Sequence, residues 1–460
     1  MARKKALIGE FVGTFILMYT VGCNVLSGTA AAGSSIAFSL MVGIYALGKV
    51  SGANFNPAVS FALGLVDKLP WVDVAAYSVV QILAGALAGI SAHGTFPNHK
   101  YELELGPASG FEWWQAGVCE LLYTFMLCFA VLNTACSAAN ANGQFYGLSI
   151  GLVIIAGAFG AGAVSGGCFN PAVAFGVYMG GEFVPESLSN VPVYAAFELI
   201  GAALAAFLFK QVRPDAFENG EAGAEMKAKV ISEILGTYML VLTVGLNVLA
   251  ASPAAPFSIA ASLMVMVFSL GDVSGAHFNP AVTVSILAIG KIKGKEAVVY
   301  MAVQVLAALV AGLTYSMIYN GKGFTLGPND PFGLPEVAVA EAFFTFVLCF
   351  VVISVACSPS AEGKHYSQVY GLAIGACIVV GGFAIGSISG ASLNPAVSIA
   401  TFAIGGFHFG FTSTLYTVFE LAGAGVAALI YFQTHEDVEC GPAGNSDSDE
   451  EEESDFEKPA

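Results

Sequence analysis

The chain has 460 residues, 56% of them hydrophobic and only 11% charged, with a formal net charge of −17. A soluble chain of this length needs far more charge to cover its surface, so a water-soluble globular fold is excluded. Of that charge, −10 lies between Glu436 and the C-terminus. The apolar body is therefore only mildly acidic, and neither a nucleic acid nor a basic partner is indicated.

Taken in order, the chain opens with Met1-Ala-Arg-Lys-Lys and a long apolar run containing Glu10. That run is read as a first, uncleaved membrane helix rather than a signal peptide, because many more spans follow. Crossings are expected at about residues 6–26, 36–50 and 72–92, and again in apolar runs such as 114–136, 191–209 and 230–251. Each approaches the length of about 20 residues that an α-helix needs to cross the hydrocarbon of a bilayer. Gly and Ala within these runs suit close helix packing in lipid.

Between the crossings the tetrapeptide Asn-Pro-Ala-Val occurs four times, beginning at Asn56, Asn170, Asn279 and Asn394. Asn56 and Asn279 are 223 residues apart, as are Glu10 and Glu233, and Gln81 and Gln304. The chain is therefore a duplicated unit. Each unit is itself doubled: Gln81-Ile-Leu-Ala-Gly-Ala-Leu-Ala answers Glu198-Leu-Ile-Gly-Ala-Ala-Leu-Ala. The elementary repeat has three crossings and one segment too short to cross. An odd number of crossings inserts the next repeat upside down, which brings two short segments to the midplane from opposite sides. The expectation is an all-α membrane protein: two six-helix barrels, each with two re-entrant half-helices, and twelve transmembrane helices in all. The first barrel is placed at 1–210, a cytoplasmic linker at 211–228, the second barrel at 229–433 and an acidic, disordered tail at 434–460.

Lysine and arginine set the orientation. With the N-terminus cytoplasmic, only Lys100 and Lys322 fall outside, so both termini are expected in the cytoplasm, at the plasma membrane or an internal membrane. In the tail, Ser446, Ser448 and Ser454 each have an acid three residues on. That pattern fits acid-directed phosphorylation or simply a solubilising tail. The nine cysteines have no paired spacing, and no metal or cofactor is expected.

Proline suits the first position of a helix, where its missing N–H has no intrahelical partner, and the preceding Asn is a good N-cap. Its amide NH2 is then left over to donate into a lumen. Irregular backbone at membrane depth is tolerated where it lines a cavity. Asn56, Pro57 and Ala58 with Asn170, Pro171 and Ala172, then Asn279, Pro280 and Ala281 with Asn394, Pro395 and Ala396, thus mark two pores.

With these motifs, Glu-x-x-Gly-Thr in the first helix and Gln in the third, the chain resembles the major intrinsic protein (aquaporin and aquaglyceroporin) family twice over, at about 6–209 and 229–433. The resemblance implies a passive channel for water and small neutral solutes in the lipid bilayer, not an enzyme. It implies assembly as four barrels, which a homodimer of this chain provides. Cation exclusion by two facing helix N-termini is the known account of aquaporin-type selectivity and is carried over with the resemblance. By resemblance, Glu10, Glu120, Glu233 and Glu341 anchor the re-entrant loops, as do Gln81 and Gln304. Glu198 and Glu420 replace that Gln and depart from the family pattern, as hydrogen-bond anchors or as a proton or cation site.

The narrowest ring also departs. Family members carry an Arg directly after the second Asn-Pro-Ala; this chain has Val173 and Val397. The other ring positions fall at Ile36, Ala158 and Gly167, and at Ile259, Gly382 and Ala391. Small apolar rings favour glycerol, urea, ammonia or hydrogen peroxide as well as water. The alternatives are a weakly conducting structural or junctional protein, or an ion-leaky channel. Lys49 and Asn54 in the first unit correspond to Asp272 and His277 in the second, which suggests a pH-sensitive second pore.

Overall fold

The structure, a computed structural model, describes residues 2–98, 100–137, 144–181, 188–214, 225–357, 369–405 and 410–435. The acidic tail with its serines, and most of the linker, lie outside the described residues. The first unit consists of α1 (Ala2–Ser27), α2 (Ala32–Ser51), α3 (Pro57–Leu65), α4 (Trp71–Thr95), α5 (Trp113–Ala135), α6 (Tyr146–Gly160), α7 (Gly162–Ser165), α8 (Pro171–Gly180) and α9 (Asn190–Val212). The second consists of α10 (Glu225–Leu249), α11 (Ala255–Ser274), α12 (Pro280–Ala288), α13 (Gly294–Ile318), α14 (Leu334–Ala356), α15 (Tyr370–Ser389), α16 (Pro395–Gly405) and α17 (Gly410–Thr434).

Eleven of the described helices are long and apolar enough to cross a membrane. The twelfth crossing is α6 and α7 together, interrupted at Ala161. Its counterpart α15 runs unbroken through Ala384-Ile385-Gly386, where the first unit has Gly160-Ala161-Gly162. The extra glycine weakens the helix. It is also required sterically, since a Cβ on Gly160 would lie 2.6 Å from the Tyr123 hydroxyl.

Each short half-helix begins after an Asn, extended at Asn56, Asn170 and Asn279, whose Oδ1 accepts the N–H two residues on: Asn56 from Ala58 at 2.8 Å and Asn170 from Ala172 at 2.9 Å. Asn279 and Asn394 do the same at 2.8 and 3.0 Å. The half-helices are held by close backbone approach. A Cβ on Gly85 would sit 2.3 Å from the Ala172 carbonyl oxygen, so α4 and α8 meet main chain to main chain.

The units join through α5 and α6 of the first against α10 and α11 of the second. The joint is polar as well as apolar. Gln115 Nε2 donates to Ile318 O and Asn320 Oδ1, both at 2.8 Å, and Ser258 Oγ donates to Ala156 O at 2.9 Å. Tyr123 Oη and Thr243 Oγ1 lie 3.0 Å apart. Arg213, at the end of α9, reaches across to Asp272 of α11 with Nη2 2.7 Å from Oδ1, and its Nε donates to Asn133 at 3.0 Å. Asp272 is thus committed to the joint rather than to the inner mouth of the second pore, where the repeat alignment had put it.

Candidate functional site: two lumens with crossed asparagines

The loop before each half-helix carries the site, and its backbone is unusual. Ala53 and Phe55 have φ of 54° and 51°; Ala276 and Phe278, and Ala391 and Leu393, repeat the pattern. Left-handed backbone at bulky residues is strained and persists only where surroundings over-determine it. A buried acid does so here. Glu10 accepts the N–H of Asn54 on Oε1 at 3.0 Å and that of Phe55 on Oε2 at 2.7 Å. Glu120 holds Cys168 and Phe169, Glu233 holds His277 and Phe278, and Glu341 holds Ser392 and Leu393, at 2.7–3.1 Å. Gln81 and Gln304 each donate Nε2 to Glu10 Oε2 and Glu233 Oε2 at 2.8 Å. Glu198 and Glu420 instead accept the N–H of Asn170 and Asn394, at 2.7 and 2.9 Å.

Sequence reasoning missed a second anchor. Tyr77, Tyr194, Tyr300 and Tyr416 donate their hydroxyls to the carbonyls of Ser51, Ser165, Ser274 and Ser389 at 2.6–2.9 Å. These carbonyls end the helix that precedes each loop. The signal was present: a Tyr four residues before each of Gln81, Glu198, Gln304 and Glu420, one helical turn away on the same face.

The Asn amides are less free than the capping argument implied. Asn56 Nδ2 donates to Phe169 O at 2.8 Å, and Asn170 Nδ2 donates back to Phe55 O at 2.9 Å. Asn279 donates to Leu393 O at 2.8 Å and Asn394 to Phe278 O at 3.0 Å. Each NH2 has two protons, so one locks the opposed loops together and the other is left for the lumen.

A cavity of ≈ 390 Å³ in the first unit is lined by Asn56 and Asn170 and by Ile36, Ala158, Gly167 and Val173. In the second, a cavity of ≈ 260 Å³ is lined by Asn279 and Asn394 and by Ile259, Gly382, Ala391 and Val397. Both walls are mainly aliphatic. His277 lines the second cavity with Nδ1 3.1 Å from Thr283 Oγ1 and its ring edge-on to Tyr300. Asn54 takes the same place in the first, donating to Ser60 Oγ at 3.1 Å.

The model of the major intrinsic protein family matches residues 1–209 and 224–431, with a further match at 151–250. The chain belongs to the major intrinsic protein family. It is 33% identical over 214 residues to the probable aquaporin NIP4-2 of Arabidopsis thaliana, which covers 44% of this chain and 73% of that one. To aquaporin AqpM of Methanothermobacter marburgensis it is 29% identical over 249 residues, covering 45% and 96%. Among solved structures, the aquaglyceroporin from Plasmodium falciparum covers 45% of this chain and 96% of its own, at 23% identity and a TM-score of 0.41. As a major intrinsic protein this is an integral, multi-pass membrane channel for water or small solutes.

Proposed function

We propose that the chain carries two parallel passive pores, one per unit, each admitting small uncharged solutes such as glycerol, urea, ammonia or hydrogen peroxide besides water. The observation that carries this reading is the lining. All eight ring positions expected from the repeats border the cavities, and none supplies a charge or a side-chain donor. A solute with an apolar face loses little against such walls, while the four Asn amides supply the polar contact at the centre. Cations meet two half-helix N-termini in each lumen. The lysine and arginine distribution supports cytoplasmic termini.

The same comparison of repeats supports a homodimer. Of the apolar stretch of α11, 72% is buried within the molecule, against 28% of its counterpart α2. Val42 and Val380 are 53% exposed, whereas Val265 and Ala156, their equivalents at the joint, are fully buried. The faces left open, α1–α2 and α14–α15, are the repeat equivalents of the two that meet inside the chain. A second copy closes them head to tail into a ring of four barrels.

The test is stopped-flow light scattering on proteoliposomes of purified protein, with an impermeant osmolyte and with glycerol or urea. Fast shrinkage followed by fast reswelling is expected. The variant carrying Val173→Arg and Val397→Arg should keep much of the shrinkage and lose the reswelling. Shrinkage without reswelling in the parent chain refutes the broad pore, and neither phase above empty liposomes refutes an open pore.

A further inference from the structure

The four repeats solve one problem in two ways. In the first and third, an amide closes the contact between the anchoring acid and the third helix, Gln81 donating to Glu10 and Gln304 to Glu233. In the second and fourth the same position holds another acid. Glu198 Oε1 accepts from Asn170 N at 2.7 Å. Glu420 Oε1 accepts from Asn394 N and from Ser398 Oγ, both at 2.9 Å. The remaining oxygens, Glu198 Oε2 and Glu420 Oε2, have no hydrogen-bond partner, and both side chains are wholly buried.

Each of these acids sits beside another carboxyl group: Glu120 and Glu198 accept the consecutive N–H groups of Phe169 and Asn170, and Glu341 and Glu420 those of Leu393 and Asn394. Glu198 is also within hydrogen-bond reach of Glu120. Glu120 already accepts from Ser165 Oγ at 2.7 Å, Cys168 N at 3.0 Å and Phe169 N at 2.7 Å, which accounts for its own charge. The other titratable groups facing the first pair are Cys119, Cys128, Cys168 and Tyr194, and those facing the second are Cys349 and Tyr416. None of these is a cation. Two ionised carboxylates held together in a dry interior repel strongly, and one proton shared between them removes the repulsion.

We propose that Glu198 and Glu420 are each a proton-binding site: a neutral carboxylic acid whose Oε2–H donates to the carboxylate of Glu120 or Glu341. The bound proton then does what the amide hydrogen of Gln81 and Gln304 does in the other repeats, and every loop is backed by one negative charge and one donor. The two solutions differ in one respect. An amide cannot release its hydrogen, whereas the acid can, and its ionisation sets two charges directly behind the Asn170 or Asn394 cap. A releasable proton thus stands in for the amide hydrogen behind the second half-helix of each barrel and not behind the first, whichever solute passes.

The test is infrared difference spectroscopy on the full-length purified protein at neutral pH, in H2O and in D2O. The chain is compared with the variant carrying Glu198→Gln and Glu420→Gln. The parent is expected to show the carbonyl stretch of protonated carboxyl groups, shifted down in D2O, and the variant to lose it. If the double variant does not fold, Glu198→Gln and Glu420→Gln made singly should each remove part of that band. An unchanged band overturns the proposal. Loss of carboxylate absorption instead, dependent on sodium in the buffer, also overturns it by assigning the oxygens to a bound cation.

Discussion

The first barrel and the second have equivalent anchors and equally apolar rings, yet their ends differ. The first cavity is bordered by Glu102 and Glu104, the second by Phe324 and Leu326. Beside the half-helix caps Asn54 in the first is replaced by His277 in the second, and the second cavity is the smaller, ≈ 260 against ≈ 390 Å³. The difference lies where solutes enter and leave, not where the loops are tied. Fusion lets two pores of one molecule diverge at their mouths while the machinery that shapes each lumen stays fixed. At the joint, fusion also lets equivalent positions take unlike roles: Asp272 pairs with Arg213, while its repeat partner Lys49 is a basic residue on the open face.

The largest effect expected comes from an anchor. Glu10→Ala strips the acceptor from Asn54 N–H, Phe55 N–H and Gln81 Nε2, and each buried unpartnered donor costs about 1–3 kcal/mol. Glu233→Ala does the same in the second barrel. Each should abolish the permeability of its own barrel and lower the thermal midpoint in detergent. Equal losses from both would show that the barrels conduct alike.

Next comes the joint. Arg213 is buried but Asp272 is partly open to solvent, so Arg213→Ala should cost about 1–3 kcal/mol in lost charged hydrogen bonds, while Lys49→Ala should cost almost nothing. A thermal double-mutant cycle with Asp272→Asn checks this. A coupling energy near zero would mean that this ion pair does not help to hold the barrels together. Plugging the lumens separately with Val173→Trp and Val397→Trp sharpens the comparison of the pores. Water permeability should fall further in the first case, in line with the larger cavity, and the converse would put the main conductance in the second barrel. Tyr77→Phe and Tyr300→Phe each remove one hydrogen bond and should destabilise by about 1 kcal/mol, read as small, matched shifts in thermal midpoint.

The repeat structure was legible in the sequence because membrane segments reveal themselves twice, by hydropathy and by the spacing of their few polar residues. Asn56, Glu10 and Gln81 are each conspicuous against an apolar background, and their recurrence gives the architecture before any coordinate. Tyr77 and Tyr194 were not singled out, because an aromatic near a helix end reads as an interfacial residue. Only the structure shows their hydroxyls turned to a buried carbonyl. The break at Ala161 depends on one glycine and on the Tyr123 hydroxyl beside it, a contact no local pattern encodes. Arg213 read simply as one more inside-facing cation, because ion pairs between barrels join residues 59 apart with no period to expose them. The crossed Asn bonds were hidden for a related reason: capping is a local rule, while the second role of each amide is set by the opposed loop.

Those crossed bonds have a consequence for how the protein is made. Asn56 must wait for the carbonyl of Phe169, 113 residues further on, before its amide is satisfied. At ribosomal rates that interval is on the order of ten seconds. Through it the first re-entrant loop is tied to Glu10, Tyr77 and Gln81 of its own repeat, but the Asn56 amide lacks its partner across the lumen. Neither half of a barrel can mature alone, so each pore is finished in one late step. The second barrel faces the same delay, but α10 and α11 emerge beside a neighbour that is already complete. The order of synthesis thus makes the first barrel a template for the second, and a ribosome that stalls between them leaves a finished pore rather than half of two.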